Sequence, residues 1–301
     1  MGSYRIDYLR QLEAESIFII RETLAEFKNP VMLYSIGKDS SVLIHLAKKA
    51  LYPGKIFFPL LHIDTGYKFR EMIEFRNYVA DKMGVKIMVE RNEPMIAKGM
   101  HPSLYGTDRC CGYLKTGALL NALSKYKFDA AFGGAKREEE KSRAKERIFS
   151  IRNEFGVWDP KNQRPELWHL YNGKLKEGET MRVFPLSNWT ETDIWTYIQQ
   201  EKIEVVPLYF SREREVVSRN GMIIPVDGST KLKSGEKTEM KKIRFRSLGC
   251  SPCTGAIESN ASNIDDVIHE VFASRTSERQ HRLIDLSSDS AMEEKKKQGY
   301  F

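Results

Sequence analysis

The chain has 301 residues, of which 41% are hydrophobic and 11% aromatic, and it carries a formal net charge of +7. This composition excludes a chain that is disordered throughout, and no apolar run approaches the roughly 20 residues that span a bilayer. The length allows one large α/β domain, alone or with a smaller appendage, and the charge favours anionic partners such as nucleotides, sulfate, phosphate or nucleic acid. The N-terminus enters a charged amphipathic pattern at once rather than a signal peptide, so we expect a cytoplasmic protein.

The first predicted elements are a helix, a strand and a second helix. Apolar spacing predicts the first helix over about residues 4–28, and Asn29-Pro30 ends it. The run 30–47 then passes from a short buried strand through a tight turn into the second helix. Because free N–H groups and the helix dipole attract anions, this turn predicts a phosphate site at the helix N-terminus.

The turn differs from the usual nucleotide P-loop, which needs a glycine at the position of Met32 and a serine or threonine at that of Asp39. It resembles the pyrophosphate loop, Ser-x-Gly-x-Asp-Ser, of the ATP-pyrophosphatase superfamily, whose members cleave ATP between the α and β phosphates. Gly37 would let the backbone approach the pyrophosphate, and Lys38 adds a positive charge. Asp39 either orders the turn or holds Mg²⁺. A helix capped after a glycine turn is the alternative interpretation.

A second strand, a helix and a third strand follow. The apolar run 55–63 predicts the second strand, although Pro59 weakens the pattern. Asp64-Thr65-Gly66 stands at its carboxyl end, where open parallel sheets bind ligands, and opens a helix to about residue 83. An N-cap turn is the alternative for these three residues. Residues 85–89 predict the third strand, and the alternation implies a parallel sheet covered on both faces.

A charged run follows the next helix and strand. Residues 91–107 predict a loop over the site, residues 113–126 a helix, and residues 128–132 a strand that ends at Gly133-Gly134. The run 135–147 comes directly afterwards, and a solvated helix face is one interpretation of it. In the other interpretation its basic side chains converge on phosphate or sulfate oxygens: Lys136, Arg137, Lys141, Arg143 and Arg147.

The next segment is less regular. Residues 148–178 are rich in turns and aromatic residues and predict a flap or an active-site rim, and residues 182–186 predict another strand. Thr190 is expected to cap the helix that follows, with Asp193 as its partner in a capping box.

Beyond residue 210 the composition becomes highly charged. Residues 211–247 predict an irregular or small β excursion, and a helix is expected at 264–272. The tail 293–301 is expected to be solvated unless a partner binds it. We therefore divide the chain into a nucleotide-binding domain, 1–210, and a C-terminal extension, 211–301.

The four cysteines form an adjacent pair, Cys110-Cys111, and a Cys250-x-x-Cys253 motif. In a chain without a secretory signal a disulfide framework is the poorer interpretation. Together the two motifs have enough ligands for zinc or an iron–sulfur cluster. The sequence leaves this point open, and no residue is assigned as a metal ligand.

Several segments together resemble one known family: the turn at 35–41, Asp64-Thr65-Gly66, the charged run from Gly134, and residues 185–198. The chain is similar to the PAPS reductase family of the ATP-pyrophosphatase superfamily, and within it to the small subunits of bacterial sulfate adenylyltransferases. The resemblance covers essentially the whole chain, and the segment 159–169 is especially typical of those subunits.

The resemblance implies an α/β fold with an open, mostly parallel sheet, helices on both faces and an irregular C-terminal extension, as in adenine nucleotide alpha-hydrolase-like proteins. It implies that ATP and sulfate give adenosine 5′-phosphosulfate and diphosphate, the first step of sulfate assimilation. ATP would bind with Mg²⁺. A large GTPase subunit would bind GTP and drive the uphill reaction, and residues 211–301 would contact that partner.

The resemblance also assigns residues. Those expected to bind ATP are Ser35, Gly37, Lys38, Asp39, Ser40, Ser41, Asp64, Thr65 and Gly66. Those expected to be catalytic are Lys38, Arg137, Arg143 and Arg147. The turn would hold the β- and γ-phosphates, while the arginines would act on the α-phosphate and sulfate.

Two other activities stay open. An adenylyl-sulfate reductase-like oxidoreductase would use all four cysteines as ligands of an iron–sulfur cluster. However, no further cysteine follows Cys253 to act as the nucleophile, and we do not expect a cluster. A PP-loop tRNA-modifying enzyme would suit the basic charge. No RNA-binding module or stacking pattern is visible, so we expect neither a nucleic acid nor a membrane partner.

Overall fold

A computed structural model describes residues 7–219, 221–274 and 299 of the chain, without the side chain of Lys141. At its centre is a six-stranded sheet of β1 (Pro30–Leu33), β2 (Leu60–Ile63), β3 (Ile87–Glu90), β4 (Ala130–Phe132), β5 (Phe149–Arg152) and β6 (Thr180–Val183). The strand order is β3-β2-β1-β4-β6-β5, and all neighbours are parallel except β5, which runs antiparallel to β6 at the edge. The predicted open, mostly parallel sheet is confirmed.

The helices of the described residues cover both faces of this sheet. They are α1 (Tyr8–Glu26), α2 (Lys38–Leu51), α3 (Arg70–Met83), α4 (Glu93–Ala97), α5 (Pro102–Tyr105), α6 (Thr107–Cys111), α7 (Ala118–Lys125), α8 (Lys141–Ala144), α9 (Glu191–Glu201) and α10 (Ile264–Ala273). Met32 belongs to the core beneath α1, α2 and α9, whereas its neighbour Val31 belongs to the core beneath α7. Because successive strand residues point to opposite faces, the two cores lie on opposite sides of the sheet.

Local signals set the ends of several helices. The Thr190 side chain accepts a hydrogen bond from the backbone N–H of Asp193 at 3.1 Å, and the Asp193 carboxylate accepts one from the N–H of Thr190 at 2.8 Å. The predicted capping box is therefore confirmed. The predicted helix at 264–272 is also confirmed, and Asn263 caps it by accepting from the N–H of Asp266 at 3.0 Å.

The segment 148–178, predicted as a turn-rich flap or rim, begins with a strand that was not predicted, β5. An edge strand needs partners for its outer N–H groups. Here the Glu166 carboxylate accepts from the N–H of Phe149 at 2.7 Å, and the Gln163 side chain accepts from the N–H of Ile151 at 2.9 Å. The acceptors for the outer edge of this strand come from side chains more than ten residues later in the chain, so no local pattern predicts the strand.

Two other boundaries differ from the prediction. Residues 91–107, predicted as a loop, contain α4 and α5, each of which has a proline in its first turn. The second strand covers Leu60–Ile63 rather than residues 55–63, because Pro59 has no N–H to contribute to the ladder.

The C-terminal part forms a second, antiparallel sheet. Its order is β10-β9-β7-β8, with β7 (Arg212–Arg219), β8 (Met222–Pro225), β9 (Thr238–Arg244) and β10 (Ile257–Glu258). The predicted small β excursion is therefore confirmed. The sheet shares the main core, since the ring of Phe245 lies 5.0 Å from that of Phe69 before α3. The division after residue 210 stays a prediction.

The predicted solvated tail, 293–301, lies outside the described residues except for Gly299. That residue is buried and lies against Leu120 of α7, so at this position the chain is not solvated. In the part of the chain that the structure describes, no helix is both long and apolar enough to cross a bilayer.

Gly156 lies in the turn after β5, where that turn packs against Leu120 of α7. Its φ is +75°, and a Cβ there would lie 2.4 Å from Cδ2 of Leu120. We expect Gly156→Ala to lower the free energy of unfolding by about 2–4 kcal/mol in urea denaturation, because it adds overpacking to backbone strain.

Gly221→Ala is the matched control for that change. Gly221 has the same φ, +75°, and no atom of the described residues within 4 Å of its Cβ position. This substitution should lower the free energy of unfolding by about 1–2 kcal/mol, because it introduces backbone strain alone. Equal losses in the two variants would show that Leu120 moves aside freely.

Candidate active site

A cavity of about 230 Å³ opens at the carboxyl ends of β1, β2 and β4, the edge at which open parallel sheets bind ligands. Its wall also includes the start of α7 and two segments of the C-terminal half. Four cationic side chains and two carboxylates line it: Lys38, Lys68, Lys115 and Arg143 against Asp39 and Glu139. The cavity is therefore net positive and suits an anion.

The turn after β1 forms one wall of the cavity. Its lining residues are Ser35, Gly37, Lys38, Asp39 and Ser40. Because α2 begins at Lys38, the first N–H groups of that helix and the positive end of its dipole lie at this wall. The structure thus brings together most of the residues predicted to bind phosphate.

Two other residues shape the turn from behind. Ser41 does not line the cavity, and its hydroxyl donates to the carbonyl oxygen of Gly37 at 3.2 Å. Ile36 is fully buried with a φ of 67°, in the left-handed region. That conformation costs a residue with a Cβ roughly 1–2 kcal/mol, and it persists only where surrounding packing determines the backbone.

Two glycines let neighbouring segments approach the turn closely. A Cβ on Gly134 would lie 3.1 Å from Cβ of Asp39, so the end of β4 packs directly on the start of α2. A Cβ on Gly37 would lie 3.3 Å from the hydroxyl oxygen of Tyr209. That hydroxyl accepts a hydrogen bond from the Lys38 N–H at 2.8 Å, which satisfies one of the helix's terminal donors.

The charged run 135–147 is not a solvated helix face, and that interpretation is wrong. Lys136, Glu139, Arg143 and Glu146 are each less than a tenth exposed. Only two short helical segments form in the run, Arg137–Glu139 and α8. The run instead crosses the end of the sheet and contributes part of the cavity wall.

Of the three predicted catalytic arginines, all within the described residues, Arg143 alone lines the cavity. Its Nε lies 3.3 Å from the carboxylate of Glu139. Arg137 is half-buried and donates from Nη1 to the side-chain oxygen of Asn188, and Arg147 is exposed. The catalytic roles of the latter two stay predictions.

The Asp64-Thr65-Gly66 segment lies beside the cavity rather than in its wall. The Asp64 carboxylate accepts from the Gly66 N–H at 2.9 Å, and Thr65 Oγ1 lies 3.1 Å from Sγ of Cys250. The segment does not cap a helix, because α3 begins only at Arg70. Its role at the nucleotide stays a prediction, although Ile63 and Lys68 on either side do line the cavity.

Other lining residues were not predicted. Lys68 follows Asp64-Thr65-Gly66 by two residues, and that proximity was a usable signal. Lys115, Tyr209 and the segment 247–249 reach the cavity only through the packing of distant elements, so no local pattern marks them. Apolar side chains complete the wall and suit the face of a base: Leu33, Leu61, Ile63 and Leu119.

His62 of β2 also lines the cavity and is 1% exposed. Its Nδ1 lies 2.8 Å from the carbonyl oxygen of Tyr34, which can only accept, so Nδ1 carries the hydrogen. Burial lowers the pKa of the imidazole to about 3, and the charge of Lys68 acts in the same direction. The ring is therefore neutral at pH 7.

The four cysteines are free and lie in one corner beside the cavity. Burial, with the neighbouring cysteines, raises the pKa of the Cys110 thiol to about 12 and also raises the pKa of Cys253. These two thiols are therefore protonated at neutral pH and weakly reactive. Among the described residues, no group of three His, Cys, Asp or Glu side chains is arranged to hold a metal ion.

The chain matches one protein family, and several of its relatives carry the same name. Residues 29–256 match the family described as phosphoadenosine phosphosulfate reductase domain. The chain is 59% identical over 302 residues to sulfate adenylyltransferase subunit 2 of Marinobacter nauticus, covering 100% of this chain and 99% of the relative. It is 58% identical to the subunit 2 of Marinomonas and 59% to that of Yersinia pestis, each over 100% of both chains.

Solved structures show more distant similarity. A phosphoadenylyl-sulfate reductase from Candida auris has 16% identity and a TM-score of 0.45, covering 69% of this chain and 93% of its own. An FMN adenylyltransferase from Candida glabrata has 15% identity and a TM-score of 0.49, covering 77% of this chain and 72% of its own.

The buried His62 should make stability depend on pH below neutrality. Its pKa is about 3 in the folded chain against 6.5 ordinarily, so between these values the unfolded state binds a proton that the folded state excludes. The free energy of unfolding should therefore fall as the pH drops from 6.5 towards 3, by up to about 1.4 kcal/mol per pH unit from this residue.

His62→Asn is the comparison that isolates this effect, because an Asn amide can still donate to the Tyr34 carbonyl oxygen but does not titrate. Urea unfolding of both proteins at several pH values measures the two slopes. We expect the shallower slope in His62→Asn, and identical slopes would contradict the assignment.

Proposed function

The chain belongs to the phosphoadenosine phosphosulfate reductase domain family and, within it, to the sulfate adenylyltransferase subunit 2 group, and from this we propose that it transfers the adenylyl group of ATP to sulfate. The products are adenosine 5′-phosphosulfate and diphosphate, in the first step of sulfate assimilation. The activity makes the chain a nucleotidyltransferase.

One feature of the site supports this function most directly. The start of α2 and the guanidinium-bearing Arg143 line the same net-positive cavity. The reaction needs two anions, a triphosphate and a sulfate, within bonding distance of each other. Their mutual repulsion has to be offset by fixed positive charge, which the cationic side chains of this cavity provide.

The chemistry requires little covalent participation from the protein. A sulfate oxygen attacks the α-phosphorus in line and forms a new P–O bond, while the bond from that phosphorus to the bridging oxygen breaks and diphosphate leaves with the electron pair. No proton is transferred and no side chain is modified. The protein contributes position and charge stabilisation.

The β- and γ-phosphates are assigned to Ser35, Gly37, Lys38 and Ser40 together with the first N–H groups of α2. Ser41 supports them by holding the Gly37 carbonyl. The adenine is assigned to the apolar wall that includes Leu119.

Arg143 is assigned to the α-phosphate or sulfate, because it lines the cavity. Arg137 and Arg147 are retained as further catalytic residues of the same run. Asp64-Thr65-Gly66 is retained as a nucleotide contact beside the cavity.

ATP would bring Mg²⁺, which usually keeps several waters and is held by the phosphates with one or two carboxylates. Asp39 is the carboxylate of the turn. One of its oxygens lies 2.5 Å from Nζ of Lys136 and the other 3.4 Å from Nζ of Lys38. Asp39 therefore does not fit as a free Mg²⁺ ligand, and no step is assigned to the metal.

The name of the relatives, subunit 2, points to a second subunit. We assign this partner as a larger GTPase subunit that binds GTP and couples its hydrolysis to the uphill reaction. Residues 211–301 are assigned as its contact, and the described part of them exposes large apolar side chains: Leu232, Met240 and Phe272. Four free cysteines suit the reducing cytoplasm as the location.

The direct test is sulfate-dependent release of diphosphate from ATP by the full chain together with its partner subunit. Release should require sulfate, should be matched by an equal amount of adenosine 5′-phosphosulfate, and should increase when GTP is added. Diphosphate release that is independent of sulfate, or adenylyl transfer to tRNA, would contradict the proposed function.

Lys38→Met tests the phosphate turn. Lys38 is 1% exposed, so Met keeps the buried stem and removes only the charge. We expect the rate of diphosphate release to fall by about 10²–10³-fold with the fold intact. Lys125→Met changes a lysine whose side chain is 59% exposed, and it should stay within about twofold of the wild type. A near-normal rate for Lys38→Met would remove the turn from the site.

A further inference from the structure

Five charged side chains alternate in sign along the cavity wall, from Lys38 to Arg143. The Asp39 carboxylate lies 3.4 Å from Nζ of Lys38 through one oxygen and 2.5 Å from Nζ of Lys136 through the other. The same Nζ of Lys136 lies 3.2 Å from Oε1 of Glu139, and Oε2 of Glu139 lies 3.3 Å from Nε of Arg143. The series joins the phosphate turn to Arg143 of the run after β4.

The ends of the series face the cavity and its centre does not. Lys38 and Arg143 line the cavity, whereas the side chain of Lys136 is 0% exposed and is not part of the wall. An ammonium group buried this deeply must be paired. Its two carboxylate partners meet that need, so Lys136 is placed to hold them rather than to bind a ligand.

Both carboxylates need this partner. Asp39 and Glu139 line a cavity suited to anions, and a carboxylate there repels phosphate and sulfate unless its charge is balanced. Lys136 balances both at once. The end of β4 also packs closely on Asp39, because a Cβ on Gly134 would lie only 3.1 Å from its Cβ. Glu139 is fixed further by accepting from the backbone N–H of Lys136 at 3.1 Å.

We propose that Lys136 is a positioning residue whose buried ammonium holds Asp39 and Glu139 and thereby sets the spacing of Lys38 and Arg143 in the cavity wall. It touches neither substrate and acts through the two carboxylates. The proposal rests on the proposed function for its two anionic groups, which are the β- and γ-phosphates at Lys38 and the α-phosphate or sulfate at Arg143.

Lys136→Met keeps the stem of the side chain and removes its charge. In the complex of the full chain with its partner subunit, kcat/KM should fall by about 100-fold, because displacing reacting groups by about 1 Å costs that much. KM should rise for ATP and for sulfate together, since one residue holds the carboxylates beside both Lys38 and Arg143. Lys125→Met, on the exposed surface, is the matched control.

Asp39→Asn separates positioning from a general structural role. In Lys136→Met the Asp39 carboxylate loses its closer partner. The double variant Lys136→Met/Asp39→Asn removes that uncompensated charge, so it should bind ATP at least about fivefold more tightly than Lys136→Met alone. If Lys136→Met merely loosened the fold, the second substitution would not restore ATP affinity. Circular dichroism and thermal unfolding monitor the fold of each variant.

ATP affinity is measured by calorimetry without sulfate, so this result stands even if the acceptor proves to be another molecule. Unchanged ATP affinity in Lys136→Met would overturn the role of Lys136, as would losses that simply multiply in the double variant. If Lys136→Met does not fold, the ATP affinity of Lys136→Arg is compared with that of the wild type instead. Because it keeps the charge, its ATP affinity should stay within about tenfold of the wild type, and a complete loss would overturn the role.

Discussion

The packing of the start of α2 against the end of β4 is the constraint on which the site depends. Gly134 permits it, because any larger residue would meet the Cβ of Asp39. This approach brings the terminal N–H groups of α2, the Lys38 side chain and the run after β4 to one cavity. A helix N-terminus needs partners for its donors. Tyr209 supplies one of them, and the remaining donors lie at the wall of a net-positive cavity.

The burial of so much charge follows from that packing. The chain turns across the end of the sheet after β4, where the N–H of Arg137 donates to the carbonyl oxygen of Ser187 at 2.9 Å. Charged side chains in this run then pair with opposite charges, as Glu146 does with the buried Arg152 of β5. Such pairs are weak evidence for stability, because desolvation offsets most of the attraction. Their effect here is geometric, since each buried charge determines where its partner lies.

The C-terminal half completes the cavity. Besides the hydroxyl of Tyr209, the carbonyl oxygen of Arg246 lies 3.4 Å from Nζ of Lys38. The guanidinium of Arg246 in turn lies 2.6 Å from the carboxylate of Glu191 on α9. The phosphate turn is therefore held by residues from both sides of the predicted division after residue 210. A partner that bound the C-terminal extension would contact elements joined directly to the site.

The sequence by itself determined the features that depend on neighbouring residues. The strand–turn–helix at 30–47, the parallel alternation and the capping box at Thr190 are local patterns, and family resemblance added the expected chemistry. Only the tertiary structure decided which charges meet: Arg143 reaches the cavity while Arg147 is exposed. It also placed Tyr209 on the Lys38 N–H, 171 positions away along the chain. The physical reason is that packing of whole elements selects such partners, and a side chain carries no local mark of the distant group that it will contact.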